Sequence, residues 1–149
     1  MSLVGNVGHL ARRFATSLSR RPLGVDDVQW ALSYLLPAEA LLWERMSVQD
    51  RRHSLLVARR FEALAGSPSR EELAGALLHD VGKQVSGLGT LARVVATVAG
   101  PRIARFRTYH EHEVLGARMA ADAGSSTVTV ALILGQGPAA NHLAAADHV

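Results

Sequence analysis

Helix-ending residues divide this sequence into short segments, and the apolar residues inside each segment recur with helical spacing. Pro37, Gly66 and Gly82 each close such a segment, because proline disrupts a helix interior and glycine readily adopts the left-handed conformation that ends a helix. Ser69 followed by Glu72 has the spacing of a capping box, which satisfies backbone N–H groups at a helix start. These helix-start and helix-stop signals predict an all-α fold, a single-domain bundle of about seven to eight helices.

The predicted helices are expected to form one domain over residues 1–149. A peripheral amphipathic helix is expected within residues 1–24, and the helical core within residues 38–149. Residues 91–99 are predicted to be helical. A short helical piece is predicted from Pro101 to about Phe106, and a separate helix from Tyr109 to Ala123.

One segment leaves its secondary structure open. Residues 127–134 are rich in β-branched side chains, which favour strands, so a strand is a fair alternative to a helix there. Ser125 and Ser126 precede this segment and are suited to cap a helix. A lone strand would also lack a pairing partner, so a helix is the interpretation that fits the rest of the chain.

The composition restricts the classes of site and the compartment. The chain has 149 residues, of which 48% are hydrophobic, and it has no cysteine. A chain of this length buries about 68–70% of its unfolded surface, so it needs no disulfide to form a core. Without cysteine, any metal must be bound by His, Asp or Glu, and the chain fits a reducing, cytoplasmic compartment. No apolar run is long enough for a transmembrane helix, which predicts no membrane partner.

The positive charge is weak evidence for a nucleic acid partner. The formal net charge is +3, and arginine supplies every basic residue except Lys83. Abundant arginine and alanine together are typical of a GC-rich bacterial genome. The arginines are scattered in pairs that fit solvated helix faces, with no aromatic residues interleaved for base stacking. The sequence therefore argues against nucleic acid binding.

Four residues could form a metal site. His79 and Asp80 end an apolar helix at a glycine, so an imidazole and a carboxylate project together from one helix end. His53 lies on the apolar stripe of an earlier helix, and Asp147 lies on an otherwise apolar terminal helix, where a carboxylate is costly without a cation or donor. The alternatives are that His53 is an ordinary hydrogen-bonded core residue and that Asp147 frays into solvent.

These residues carry a resemblance to a known family. His53, the string ALLHDVGK at residues 76–83 and the later Asp147 resemble the H…HD…D signature of the HD-domain metal-dependent phosphohydrolases. The resemblance implies an all-α fold in which His53, His79, Asp80 and Asp147 hold a divalent metal. Asp80 would bridge to a second metal in two-metal members.

A second metal site is suggested by only part of the pattern. His112 and the small residues that follow it are similar to the segment by which two-metal members add a ligand. That pattern then requires a histidine near the end of the next helix, where this chain has Gln136. We therefore expect His112 as a ligand of a second site, with the number of metals left open.

The resulting functional prediction is a metal-dependent phosphohydrolase. A mixed nitrogen and oxygen site suits Fe, Mn, Ni, Co, Mg or Zn, and the expected reaction is hydrolysis of a nucleotide or small phosphomonoester by metal-activated water. Asp80 and Lys83 are the expected catalytic residues, and Lys83, Ser86 and Arg52 are expected to contact the phosphorylated small molecule. The alternative is a catalytically inactive HD scaffold that binds a small molecule or a protein. The oligomeric state is left open.

Overall fold

The structure is a computed structural model that describes residues 21–84 and 101–148, with the backbone alone for Gln84 and residues 101–110. These ranges contain seven α-helices and no strand, so the predicted all-α fold is confirmed. The helices are α1 (Val25–Ser33), α2 (Pro37–Glu44), α3 (Val48–Ala65), α4 (Arg70–Leu78), α5 (Pro101–Asp122), α6 (Thr127–Ile133) and α7 (Ala140–Asp147). A 3-10 turn at Val81–Gln84 follows α4.

Serine side chains begin several of these helices. Ser47, Ser69 and Ser126 each accept a hydrogen bond from a backbone N–H three residues later, at the starts of α3, α4 and α6. At Ser69 the side chain of Glu72 also accepts from the Ser69 N–H, which completes the predicted capping box. Gly66 ends α3 with φ = 86°, a value that favours glycine. Local sequence therefore sets where these helices start and stop.

Helix α4 lies at the centre of the bundle. Every residue from 73 to 78 is buried, and α4 packs against α2, α3 and α6. The approach to α6 is close, because a Cβ at Gly75 would lie 2.9 Å from the Leu132 side chain. Helix α3 also packs against α7, and α5 packs against both α6 and the 3-10 turn. The end of α4, where His79 and Asp80 lie, is therefore surrounded by α3, α5 and α7.

A buried carboxylate joins three parts of this bundle. Glu39 on α2 is fully buried, yet each of its oxygens accepts hydrogen bonds. Oε2 accepts from the Leu36 N–H at 2.7 Å and from Arg70 Nη1 at 3.3 Å, and Oε1 accepts from the Ser125 hydroxyl at 2.7 Å. Because a buried charge is tolerated only when it is paired and hydrogen-bonded, this network ties the starts of α2 and α4 to the turn between α5 and α6.

The structure differs from two of the expectations about secondary structure. The strand alternative for residues 127–134 is wrong, because Ser126 caps a helix there and the buried Thr129 hydroxyl donates to the Glu71 carbonyl at 2.7 Å. The predicted break in residues 101–123 is also wrong, since α5 runs unbroken over Pro101–Asp122 and contains no glycine or proline near Phe106. The predicted first helix within residues 1–24 and the helix at residues 91–99 fall largely or wholly outside the described residues.

No helix in the described part of the chain is both long and apolar enough to cross a membrane. The predicted division into a peripheral helix within residues 1–24 and a core over residues 38–149 stays a prediction.

The Glu39 network predicts a large loss of stability on truncation. Glu39→Ala leaves the Ser125 hydroxyl, the Leu36 N–H and the Arg70 guanidinium without their acceptor, so we expect the free energy of unfolding to fall by about 3 kcal/mol. Urea denaturation measures this change. Glu44→Ala is the matched control, because Glu44 is an exposed acid at the other end of α2. A Glu39→Ala variant as stable as the control would contradict the structural role.

Candidate metal centre

Helices α3 and α7 bring together a histidine and an aspartate that are 94 residues apart in the sequence. His53 Nε2 lies 2.9 Å from Asp147 Oδ1, within hydrogen-bond distance. Both side chains are partly exposed. The alternative in which Asp147 frays into solvent is wrong for this structure, because the carboxylate contacts the imidazole of another helix.

The C-terminal end of α4 supplies a second imidazole with a defined orientation. His79 caps α4, and its Nδ1 lies 2.7 Å from the carbonyl oxygen of Ala76. Because a carbonyl can only accept, Nδ1 is the donor and the neutral ring presents Nε2 as a free lone pair. Nε2 lies 3.4 Å from Asp80 Oδ2 and 3.5 Å from Asp147 Oδ1. The ring therefore directs its metal-binding nitrogen at two carboxylates.

This arrangement suits a cation. His79 Nε2 is buried, in a side chain that is only 9% exposed, and it has no hydrogen-bond partner. A buried polar atom without a partner is costly, and a lone pair beside two carboxylate oxygens gains a partner when a cation binds. His53, His79 and Asp147 each offer one ligand atom, and these atoms all lie within 4.8 Å of one another, so the cluster could hold a metal ion. Two imidazoles with carboxylates are donors that divalent transition metals accept.

Asp80 lies beside this cluster and pairs with a lysine. Its Oδ2 is 3.8 Å from His53 Nε2 and 3.0 Å from Lys83 Nζ. The Lys83 N–H also donates to the Asp80 carbonyl at 3.0 Å, within the 3-10 turn. The turn therefore brings the Lys83 side chain within reach of the carboxylate.

The turn that carries Lys83 packs tightly against α5. A Cβ at Gly82 would overlap the carbonyl oxygen of His112 and would lie 2.8 Å from the Gly116 nitrogen. Only glycine permits this approach of two backbones. The contact places His112 and Glu113 near the end of α4.

A cavity of about 90 Å³ opens beside the cluster. Polar side chains line one part of this cavity and apolar side chains line the other. The lining residues are His79, Asp80, Lys83, His112, Glu113, Leu132, Ile133, Gly135, Ala140, Leu143, Ala144 and Asp147. The cavity is thus polar around the cluster and apolar on the faces formed by α6 and α7.

The other predicted site residues are placed differently. His112 lines the cavity but is not part of the three-residue ligand group, and Ser86 lies outside the described residues. Arg52 is not among the residues that line this cavity, because its guanidinium donates to the carbonyl of Arg21. Gln136 is exposed and lines surface cavities formed by α6 and the turn that follows it.

Sequence reasoning missed Glu113. This carboxylate lines the cavity beside His112. The sequence around it does not single it out, because it is one of several polar residues at the middle of α5. Only the contact of α5 with the 3-10 turn shows which of them face the cavity.

The charges of the cluster lower the pKa of Asp147 and raise those of His79 and Lys83. The hydrogen bond from His53 and the nearby imidazole of His79 hold the pKa of Asp147 far below its ordinary value, against the opposing effect of burial. Burial lowers the pKa of His79, but Asp147, Asp80 and the Ala76 carbonyl together raise it above the ordinary 6.5. The metal-free cluster therefore favours a charged pair of His79 and Asp147.

Comparison with known proteins agrees with this geometry. Residues 51–137, more than half of the chain, match the family model of the HD domain. The chain belongs to the HD domain family. A search of the curated proteins and a search of the solved structures gave no significant match. The HD match includes His53, His79 and Asp80 and ends before Asp147. Asp147 lies outside the matched range, and the packing of α7 on α3 brings it to the cluster.

The close packing at Gly82 predicts a specific defect. Gly82→Ala forces the 3-10 turn away from the α5 backbone, so we expect a loss of at least about 2 kcal/mol of stability and weaker metal binding. Thermal unfolding and metal titration measure the two effects. Gly24→Ala is the control, because a Cβ there meets only the Asp27 carboxylate at 3.7 Å. Equal behaviour of the two variants would contradict the packing argument.

The pKa shifts predict how the stability of the metal-free protein depends on pH. His79 has a raised pKa when folded, so its contribution is complete below about pH 6.5 and is lost as the pH rises through the raised value. Asp147 has a lowered pKa, so its contribution is present above about pH 3.8 and survives mild acid. We expect the unfolding free energy in chelator to fall as the pH rises above about 6.5.

Asp147→Asn tests this origin, because it removes the carboxylate that raises the pKa of His79. The loss of stability above about pH 6.5 should shrink in the variant. An unchanged pH profile would show that other groups cause the loss.

Proposed function

We propose that this HD domain is a metal-dependent phosphohydrolase. The observation that carries the proposal is the buried, unpaired Nε2 of His79, which faces the carboxylates of Asp80 and Asp147. A purely structural cluster would satisfy this nitrogen with a hydrogen bond. A buried imidazole nitrogen that lies beside two carboxylates without a hydrogen bond is instead what a cation site requires.

His53, His79 and Asp147 would hold the ion, with Asp80 as a further oxygen donor. When bound, a divalent ion would supply Lewis acidity toward a phosphoryl oxygen and would make water a better nucleophile at neutral pH. His53 Nε2 must give up its hydrogen bond to Asp147 before it can act as a ligand. Because the carboxylates raise the pKa of His79, metal binding at its Nε2 should be accompanied by proton release.

Lys83 supplies the positive charge for a phosphate group. Its side chain is 45% exposed and lines the cavity beside Asp80, so it can contact an entering anion while it remains paired. Negative charge that develops on phosphoryl oxygens is stabilised by such a fixed cation. Asp80 positions this ammonium group through the 3.0 Å contact. We assign Asp80 and Lys83 as the catalytic residues of this site.

The cavity, at about 90 Å³, has room for a phosphate group rather than for a whole nucleotide, so the rest of such a substrate would extend beyond it. Leu132, Ile133 and Leu143 form an apolar wall that excludes water from one face of the cavity, and His112 and Glu113 provide polar groups on the α5 face. A nucleotide or a small phosphomonoester remains the predicted substrate class. Substrate roles for Ser86 and Arg52, a second-metal role for His112, and the cytoplasmic, bacterial and single-domain assignments stay predictions.

A second candidate function is an HD scaffold without turnover. The observation that favours it is the self-pairing of the cluster, since His53 binds Asp147 at 2.9 Å and Lys83 binds Asp80 at 3.0 Å. Such a cluster can remain stable without metal. The two candidates differ in metal content and in turnover.

Metal content and hydrolysis are measured together to test the proposal. Protein purified without a chelator or a histidine tag is expected to carry metal and to hydrolyse members of a panel of nucleotides and phosphomonoesters. His79→Ala should lose more than about 100-fold in metal affinity and in hydrolysis, because it removes the ligand that Ala76 orients.

His142→Ala is the matched control, since His142 is an exposed histidine on α7 outside the ligand group. It should retain both metal and activity. Wild-type protein that binds metal without turnover would support the inactive scaffold. Folded protein that takes up no Mn, Fe, Ni, Co, Mg or Zn would refute the proposed function.

A further inference from the structure

A chain of buried hydrogen bonds joins α2 to the first two turns of α3. Trp43, on the last turn of α2, and Ser54, on α3, are both fully buried. The indole N–H of Trp43 donates to Ser54 Oγ at 2.9 Å, and the Ser54 hydroxyl donates in turn to the Arg51 carbonyl at 2.8 Å. The guanidinium of Arg51 lies over the Trp43 ring, 5.6 Å from its centroid. Trp43 therefore contacts α3 at two residues that lie on either side of His53.

These contacts act on the helical turn that carries His53. Serine hydroxyls that bond a carbonyl one turn earlier often bend a helix slightly. The indole N–H of Trp43 orients the hydroxyl here, so α2 determines how Ser54 meets the Arg51 carbonyl. The path of this turn sets the direction of the Cα–Cβ bond of His53. The direction of the imidazole therefore depends on the contact between α2 and α3.

Helix α2 is itself anchored to the rest of the bundle. Glu39 lies four residues before Trp43, and its buried carboxylate accepts hydrogen bonds from Arg70 and from the Ser125 hydroxyl. These two partners belong to α4 and to the turn between α5 and α6. A shift of α2 would break these hydrogen bonds inside the bundle, which is costly. Trp43 thus holds the turn of His53 against a helix that is fixed in place.

His53 depends on its backbone more than His79 does. The His79 ring is oriented by its own hydrogen bond to the Ala76 carbonyl, and its side chain is only 9% exposed. The His53 side chain is 35% exposed, and its hydrogen-bond partner among the described residues is Asp147, at Nε2. Because Nε2 is also the nitrogen that would bind the ion, this hydrogen bond is lost when metal binds. The turn at Ser54 then holds the imidazole in place.

We propose that Trp43 and Ser54 are positioning residues that hold His53 in the direction required for metal binding. The inference rests on the proposed function, since it assumes that the cluster of His53, His79 and Asp147 binds an ion. Neither Trp43 nor Ser54 lines the cavity beside the cluster, so both act through His53. Residues that orient metal ligands in this way contribute about 10- to 100-fold to metal affinity.

Two measurements test this inference without any substrate. Electron paramagnetic resonance of free Mn²⁺ gives the metal affinity, and ¹H–¹⁵N spectra of the imidazoles in metal-free protein report the surroundings of each histidine ring. Ser54→Ala removes both hydrogen bonds of the hydroxyl, so we expect about a 10-fold loss of Mn²⁺ affinity and a shifted His53 signal. The His79 signal should shift less, because the Ala76 carbonyl orients that ring.

Thr129→Val is the matched control for the loss of a buried hydroxyl. Thr129, like Ser54, is fully buried and donates to a backbone carbonyl, that of Glu71, at 2.7 Å. Glu71 lies in the first turn of α4, at the opposite end of that helix from His79. Urea denaturation should show a loss of stability in both variants. The Thr129 variant should nevertheless bind Mn²⁺ like the wild type and keep the His53 signal.

Trp43→Phe tests the same hydrogen bond from its donor side and is the second variant in case Ser54→Ala folds poorly. It removes the indole N–H and leaves the Ser54 hydroxyl in place. Because both residues act through one hydrogen bond, their effects on Mn²⁺ affinity should not be additive. The double variant should lose about as much affinity as the more affected single variant.

Wild-type Mn²⁺ affinity in both single variants would overturn the inference while leaving the proposed function intact. An equal loss of affinity in Thr129→Val would also overturn it, because affinity would then follow stability rather than the direction of His53. An unshifted His53 signal in Ser54→Ala would have the same consequence. Folded wild-type protein that takes up neither Mn²⁺ nor another divalent ion would defeat the proposed function itself, so the two failures are distinguished.

Discussion

The hydrogen bond from His79 Nδ1 to the Ala76 carbonyl determines the chemistry of the whole site. It joins a side chain to the last turn of its own helix, so the orientation of the ring follows from the end of α4. With Nδ1 used as a donor, Nε2 is the only nitrogen left to meet Asp80 and Asp147. Burial of α4 on several sides then prevents water from satisfying that nitrogen. The orientation of this imidazole is therefore set by the fold.

The carboxylate of Glu39 and the carboxylates of the metal cluster have different surroundings. Glu39 is fully buried, and its oxygens accept from a backbone N–H, a hydroxyl and a guanidinium. Such complete pairing stabilises the bundle and leaves no oxygen for a ligand. Asp80 and Asp147 instead face imidazole nitrogens, one of which has no hydrogen bond. Incomplete pairing is costly to stability, so it indicates a group that is completed by something other than the chain.

The sequence predicted well what depends on neighbouring residues. Ser47, Ser69 and Ser126 cap helices through contacts three residues away, so their positions could be derived from the sequence alone. The pairing of histidine and aspartate at the end of α4 is also local. The strand alternative for α6 failed because the buried contact of Thr129 with Glu71 is made across 58 residues. β-Branched composition carries no information about such a contact.

Packing between distant parts of the chain sets the positions of the site residues that the sequence alone did not predict. Arg52 precedes His53 in the sequence, but the sequence cannot show that its guanidinium binds the Arg21 carbonyl. Likewise, Glu113 enters the cavity only because Gly82 lets the 3-10 turn contact α5. The HD-family resemblance supplied His53 and Asp147 in the right order. The distance of 2.9 Å between them results from the packing of α3 on α7.

The origin of the ligands on three separate helices links metal binding to folding. His53 lies on α3, His79 at the end of α4 and Asp147 on α7, and the three are brought within 4.8 Å only in the packed bundle. An unfolded chain offers the same side chains without this geometry, so an ion binds the native state preferentially and stabilises it by mass action. The incomplete pairing of His79 is then a cost that the bound ion offsets. The buried Nε2 of His79 thereby couples the stability of the bundle to the presence of metal.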